Sequence, residues 1–479
     1  MKQKDWFKDR GYPHFTNRTN IRFRGKVKNY ILNSENIAKH SFYPLIYKEI
    51  IQRRYKLSKR NGKVSRSHTE VKDDKIVSSK KVRKILYATH LDAHIYSYYT
   101  RKLQAEYERY ISQNESLSSS ITAYRKIPVA NKSKFKNNVH FASDVFEEIK
   151  KRDDCVVLAF DIENFFPSLD HKLLKRIWTK VLNLKALPPD YYNIYKAVTN
   201  FSYVRLEDLK PKPSHFDEKE FAKLKKNGKN SFFSSSRELF DSGITIYKNQ
   251  KLNGSKEVVG IPQGLPISAL LANIYMIPFD ESIIKTLYEN HKVFYRRYSD
   301  DIVIVCDKSD MEDIKLFVDN HIKKINLSIS IPKTEITFFE KIDGKLVCYQ
   351  IVGGVKKLNR PLNYLGFEFY GYQTLLKSKN IAAFYRDMKA SIKRKAKRIQ
   401  AVRERTLTDN PAIFKRKIFR LYSFKGVKPR LIKNRKYRGN YVRYVYKAAE
   451  EMNSPEIKRQ IRNHWNILQK TIKKYYPKN

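Results

Sequence analysis

The chain has 479 residues, with 98 Lys and Arg against 48 Asp and Glu, a formal net charge of +50. Hydrophobic residues make up 41%, enough for two or three domains with their own cores, which excludes a disordered basic tail. A folded chain this basic needs a polyanionic partner; nucleic acid is the expected one, and no apolar run approaches a membrane-spanning length.

Residues 1–80 read as a basic, aromatic N-terminal extension. Met1 to Trp6 lacks the apolar core of a signal peptide, so a cytoplasmic location is expected. Phe42 to Tyr47 reads as a helix start, and Lys56 to Lys81 as a polar loop over a groove. Val82 to Asp92 reads as a basic strand running into a helix over Ala93 to Tyr110. Arg83 and Lys84 on that strand, and Arg125 within Ile121 to Pro128, are cations of the kind a triphosphate needs. An amphipathic helix follows from about Phe141 to Ile149.

The apolar run from Cys155 to Phe160 reads as a strand buried on both faces. It ends in Asp161, and a helix over Leu173 to Leu182 follows, capped near Ser168 or Asp170. A carboxylate at the end of a buried strand is a metal-ligand position, though one acid alone serves as well to cap a turn. Phe165 reads as core. Residues 200–258 read as a helical insertion with a Lys/Ser-rich loop. Gly260 to Met276 is a loop of path fixed by its glycines and prolines, leading into an apolar helix with Ser268, Ala269 and Ala272 on a small-residue face.

Tyr295 to Cys306 reads as a hairpin with Asp300 and Asp301 at its tip and a buried strand after them. Adjacent carboxylates repel, and burying them needs a counter-charge that a divalent cation supplies. An isolated Asp-Asp pair is ordinarily a solvated turn, so the company of Asp161 decides its meaning. A helix over Asp310 to Ile325 follows, and Leu362 to Gly371 reads as a short aromatic hairpin. From Asn380 the chain turns helical and basic, with Ile381, Tyr385, Met388, Ile392, Ile399 and Val402 in one apolar stripe. Residues 403–440 read as a basic connection; Asn440 opens a helix with Tyr441, Tyr444, Val445 and Ala448 inward, and Ser454-Pro455 opens another carrying Ile457, Ile461, Trp465, Leu468 and Ile472. Cys155, Cys306 and Cys348 show neither a disulfide framework nor zinc spacing.

In sequence order, these motifs resemble the polymerase domain of reverse transcriptases. The matching residues are Phe-Asp-x-x-x-Phe-Phe-Pro-Ser at 160–168, Ile-Pro-Gln-Gly-x-Pro-x-Ser at 261–268, Tyr-x-Asp-Asp at 298–301, Pro-Lys-Thr at 332–334 and Tyr-Leu-Gly-Phe at 364–367. The resemblance implies an α+β right-hand fold of fingers, palm and thumb with an antiparallel palm sheet. Residues 81–375 are then fingers and palm, and 376–479 a helical thumb and nucleic-acid-binding region. It implies an RNA-directed DNA polymerase joining dNTPs by two-metal phosphoryl transfer. Asp161, Asp300 and Asp301 are then the catalytic metal ligands, with the Ile162 carbonyl as a further one. Two Mg²⁺ ions suit these oxygen donors, with Mn²⁺ as the substitute. Lys333 resembles the family lysine near the pyrophosphate, a proton donor. Phe166 resembles the aromatic that excludes a ribose 2′-hydroxyl, Gln263 and Gly264 the loop lining the nascent pair, and Tyr364 to Phe367 the primer grip. Arg83, Lys84 and Arg125 would neutralise the triphosphate.

Within the family, Ala123-Tyr124-Arg125, the Lys/Asn-rich loop, His140-Phe141-Ala142 and the basic helical C-terminal region look like bacterial reverse transcriptases of the abortive-infection, defence-associated class, related to retron and group II intron enzymes. That resemblance implies anti-phage defence, an RNA template or a dedicated non-coding RNA, a DNA product and, in some members, a homo-oligomer. The alternatives are a retron or intron-type enzyme, untemplated or protein-primed synthesis at the same site, and, outside catalysis, an RNA-binding scaffold or maturase. No RNase H segment and no Val-Thr-Gly triplet is read after residue 375.

Overall fold

The structure, a computed structural model, describes residues 6–16, 19, 21–54, 56–60, 63–72, 75–130, 132–209, 231–233, 236–406, 415–426 and 439–476. Most of the Lys/Ser-rich loop and much of the 403–440 connection lie outside the described residues. The fold is of the expected α+β class and divides into two compact units.

One unit comprises residues 1–124, 162–285 and 317–330. Its four-stranded sheet has the order Tyr247–Lys248, Ser202–Arg205, Leu45–Arg53, Lys80–Tyr87. Leu45–Arg53 runs antiparallel to Lys80–Tyr87, from Ile46 opposite Tyr87 to Arg53 opposite Lys80. The expected helix start at Phe42 to Tyr47 is therefore the entry to a strand. Pro44 fits there, since it holds the residue before it in extended backbone. The expected loop over Lys56 to Lys81 is instead two hairpins, Lys56–Arg60 with Lys63–Ser67 and Thr69–Lys72 with Lys75–Ser78. Three of the four strands carry β-branched residues among their charged ones, which suits strands, and charge alone concealed them. Among the described residues, the 200–258 segment contributes two strands to this sheet and one helix, Ser236–Asp241; the rest of the expected helical insertion lies outside the described residues.

Helix His90–Ile111 starts where the Thr89 side chain accepts from the Asp92 amide. Helix His171–Leu182 starts where the Asp170 side chain accepts from the Leu173 amide, resolving the cap in favour of Asp170. Trp178 is fully buried on that helix. The apolar helix Ser268–Tyr275 follows the glycine loop as expected.

The other unit comprises residues 125–161, 286–316 and 331–479. Its antiparallel six-stranded sheet has the order Phe294–Tyr298, Asp301–Cys306, Cys155–Asp161, Glu335–Ile342, Lys345–Val352, Val355–Leu358. An antiparallel sheet is what the motifs lead one to expect here. Cys155 to Leu158 are fully buried, matching the apolar run. Helix Asn138–Arg152, held by an Asn137–His140 capping box, packs Val145, Phe146 and Ile149 into the sheet's core. Phe146 stacks on Phe369 of the aromatic hairpin at 4.5 Å between ring centroids.

The basic C-terminal stretch forms the helices Ser378–Thr406, Lys415–Tyr422, Tyr441–Glu451, Pro455–Arg459 and His464–Tyr475. Met388, Ile392, Ile418, Leu468 and Ile472 make a core for the first, second and last of these, while Val442, Val445, Ala448 and Ile457 join the core of the sheet. Val402, expected in the stripe, is 40% exposed. The stretch from Ser454 is two helices rather than one, separated by turn residues 460–463. The three cysteines are free and buried, and burial pushes each thiol up to about 12. They are inert as nucleophiles.

Candidate active site

The hairpin tip is built by alternation. Along Phe294–Tyr298 and into the turn, Tyr295, Arg297 and Ser299 are buried while their neighbours are half-exposed. On the return strand, Ile302 to Cys306 are all buried, which anchors the tip from beneath. Tyr298 stands opposite Asp301, so the turn is the two residues Ser299 and Asp300. Ser299 adopts φ 63°, a left-handed conformation that a tight hairpin requires. The fully buried Arg297 donates from Nη1 to the Ser299 carbonyl at 3.2 Å and so holds the turn from below. Sequence reasoning missed this role for Arg297; the signal was an arginine in the inward phase of an alternating strand.

Register brings the acids together. Asp301 is the cross-strand partner of Asp161, with Asp300 adjoining in the turn. Like charges directly opposite one another in a sheet repel. The Asp300 carboxyl is accordingly pushed up, chiefly by burial and in part by Asp161. Asp301 is pushed up to about 7 by burial, then by Asp300 and Asp161. Lys333, in a single helical turn ahead of strand Glu335–Ile342, pairs its ammonium with the Asp161 carboxylate. Lys333 and Lys377 are the cations that pull the Asp301 carboxyl back down. Lys377 lies in no motif, and nothing in the sequence singled it out.

The Tyr364 hydroxyl is buried without a hydrogen-bond partner among the described residues, its acidity suppressed by burial and then by Asp301. The expected primer grip, Tyr364 to Phe367, has its two aromatics in the core and its Leu365 carbonyl accepting from Asn138 Nδ2. Among the described residues, no three His, Cys, Asp or Glu side chains stand in ready ligating geometry, and Asp161 is turned to Lys333. The donor set nevertheless fits a hard divalent cation. It offers three carboxylates, two of them with raised affinity for protons, chiefly through burial and then through their mutual repulsion, which a cation would relieve.

That repulsion has a measurable consequence. A carboxyl whose pKa is raised on folding destabilises the folded chain wherever it is ionised in both states. Asp301→Asn should therefore raise the melting temperature in metal-free buffer above pH 7, and the gain should fade as pH falls through about 7 toward 3.8. Asp301 keeps solvent access, so water screens part of the repulsion and the expected gain is a few degrees. A pH series of thermal melts checks it; a gain that grew at low pH would contradict the sign.

Phe166 is half-buried on the one-turn helix Phe165–Ser168, beside Phe165, which is 4% exposed and belongs to the core. Ile162 is buried and bridged to Ile329 through the backbone. The Gln263 carbonyl accepts from the Leu86 amide at 2.9 Å, which docks the glycine loop on strand Lys80–Tyr87. Arg83 and Lys84 are both exposed on that strand. As strand neighbours they leave on opposite faces, so one anion meets only one of them. Arg125 is half-buried just after Tyr124, whose φ is 62°.

Residues 214–369, about a third of the chain, match the family described as reverse transcriptase (RNA-dependent DNA polymerase). The matched segment includes Gln263, Gly264, Asp300, Asp301 and Lys333. No curated protein matches the chain in sequence. Among solved structures it is similar to apo telomerase from Candida tropicalis truncated from its C-terminal domain, at 10% identity and TM-score 0.40, over 75% of this chain and 61% of that one. It is also similar to telomerase from Candida albicans in complex with a TWJ fragment of telomeric RNA, at 11% identity and TM-score 0.37, over 95% of this chain and 66% of that one. A third is the Sicinivirus 3Dpol RNA-dependent RNA polymerase, at 11% identity and TM-score 0.37, over 76% of this chain and 58% of that one. The chain thus spans about three fifths to two thirds of the telomerase chains it resembles.

Proposed function

We propose that the chain is a reverse transcriptase that builds DNA from dNTPs on RNA, with Asp161, Asp300 and Asp301 as its catalytic acids. The observation that carries this is the register of the palm sheet, which sets Asp161 opposite Asp301 beside a turn carrying Asp300. Asp161, Asp300, Asp301 and the Ile162 carbonyl would hold two Mg²⁺, or Mn²⁺ in their place. Bound there, the metals supply charge stabilisation for attack of a 3′-hydroxyl on the α-phosphate and for departure of pyrophosphate. Lys333, released from Asp161, would give a proton to the leaving pyrophosphate. Phe166 occupies the space of a ribose 2′-hydroxyl and so selects deoxynucleotides. Gln263 and Gly264 line the nascent pair, and Arg125 with Arg83 or Lys84 meets the triphosphate.

The biological setting follows from the same resemblance. The Ala123-Tyr124-Arg125 stretch, His140-Phe141-Ala142 and the basic C-terminal helices support a bacterial defence-associated enzyme, acting in the cytoplasm against phage with a bound non-coding RNA. No helix among the described residues is long and apolar enough to cross a membrane. In this reading 1–80 is an extension, 81–375 carries fingers and palm, and 376–479 grips nucleic acid.

Purified protein with its bound RNA, Mg²⁺ and dNTPs should make DNA, and sequencing the nucleic acid that co-purifies should return one discrete RNA. A random RNA population would remove the dedicated RNA from the proposal. The helix Ser378–Thr406 exposes Lys389, Lys393, Arg394, Lys397 and Arg398. Binding of RNA through such a face releases counterions, so affinity should fall by about 10³-fold or more between 50 and 200 mM salt. A flat salt response in a filter-binding titration would argue for a different partner.

A further inference from the structure

The helix that carries Phe166 has a single turn, Phe165–Ser168. Its leading residue, Asn164, is left-handed at φ 46° and supplies no side-chain cap. One turn of helix does not hold itself in place. What holds it is the Lys251–Ile261 segment. The Ile261 amide donates to the carbonyl of Phe166 itself at 2.9 Å, and the Gly260 amide donates to the Leu169 carbonyl at 2.8 Å. His171 Nε2 donates to the Gly260 carbonyl at 2.8 Å, and Lys251 Nζ donates to Ser168 Oγ at 2.9 Å.

Gly260 makes the tightest of these contacts. It sits at φ +93°, and a Cβ there would stand 2.5 Å from the Pro167 carbonyl oxygen and 2.8 Å from the Pro167 carbonyl carbon. Two main-chain segments therefore touch with no room for a side chain, one residue from the aromatic ring. Both polar groups of the Gly260 backbone are also used to clamp the stretch that follows it, at Leu169 and His171.

We propose that Gly260 and His171 are positioning residues for Phe166, so that discrimination between deoxyribose and ribose is set by this brace as well as by the ring. The inference rests on the reading of Phe166 given above. Neither residue touches the nucleotide. Each acts by fixing where the Phe166 backbone lies, and a ring that excludes one hydroxyl tolerates little displacement. A shift on the order of 1 Å in a positioned group is enough to cost about 10²-fold.

The test is a substrate ratio. The full-length protein is given oligo(dG)-primed poly(rC), and kcat/KM is measured for dGTP and for GTP. Phe166→Ala should lower the dGTP/GTP ratio, which checks the underlying reading. Gly260→Ala should lower it by about ten- to a hundredfold, and His171→Ala by up to about tenfold, with Phe166 unchanged in both. Damage to folding alone reduces use of both nucleotides together and leaves the ratio where it was. If Gly260→Ala does not fold, His171→Ala decides the matter, since it removes a bond without forcing a clash. The inference is overturned if Phe166→Ala lowers the ratio while both brace variants keep it. If Phe166→Ala itself leaves the ratio unchanged, the reading of Phe166 falls and this inference falls with it.

Discussion

Replacing both hairpin acids, Asp300→Ala with Asp301→Ala, is expected to abolish DNA synthesis while leaving the protein folded and bound to RNA. The two carboxylates are the greater part of a three-acid cluster, and if that cluster holds a divalent cation, losing it forfeits several kcal/mol of charge stabilisation, about 10³-fold or more in kcat. The fold does not depend on them in the same way. Asp300 and Asp301 are both held above the ordinary carboxylate range by burial and by their neighbours, so they strain the tip they occupy. Alanine at both removes that repulsion, and the apolar strand Ile302 to Cys306 still anchors the hairpin. The double variant should therefore melt no lower than the parent in metal-free buffer. If the acids bind Mg²⁺, the parent should gain thermal stability with it and the double variant should not, since a ligand stabilises only the state that binds it. Primer extension, thermal melts with and without Mg²⁺, and filter binding of RNA separate these effects. Equal DNA product from parent and variant would remove Asp300 and Asp301 from the chemistry. A variant that made no DNA and yet kept a protective phenotype in cells would favour an RNA-binding scaffold.

The three acids proposed as catalytic were legible as strand-end carboxylates because each stands at the end of a strong local signal. Cys155 to Phe160 and Ile302 to Cys306 are uninterrupted apolar runs, and an acid flanking such a run marks a strand end. Pairing them needed the structure, since periodicity does not report register. The two hairpins between Lys56 and Ser78 were not legible, because their charged residues dilute the apolar alternation. Arg297 and Lys377 were missed for a related reason. In a chain with 98 Lys and Arg, one more cation carries little information until its burial or its neighbours are known. Arg297 is distinguished only by having no exposure at all, and Lys377 only by its effect on Asp301. The brace around Phe166 joins residues 165–171 to 251–261, a long-range meeting that no local pattern encodes.

Gly264→Ala is the second substitution with a large expected effect, and it tests the glycine loop rather than the acids. Gly264 sits at φ +124°, and a Cβ there would stand 2.5 Å from the Leu86 carbonyl oxygen and 3.0 Å from Ile85 Cγ2. The neighbouring bond, from the Leu86 amide to the Gln263 carbonyl, fixes the loop to strand Lys80–Tyr87 at the same place. Alanine must therefore either adopt a backbone conformation that costs about 1–3 kcal/mol or lift the loop from the strand. Lifting it displaces Gln263. If Gln263 lines the nascent pair, kcat/KM for the incoming dNTP should drop by about 10²-fold. The loss should be greater in KM than in the melting temperature. Gly254 provides the comparison, because nothing stands within 4 Å of a Cβ built there and its backbone is not left-handed. Gly254→Ala should polymerise like the parent. If Gly264→Ala melts several degrees lower but extends primers with the parent's KM, the loop is structural. Gln263 would then leave the site, and the acids and Phe166 would stand without it.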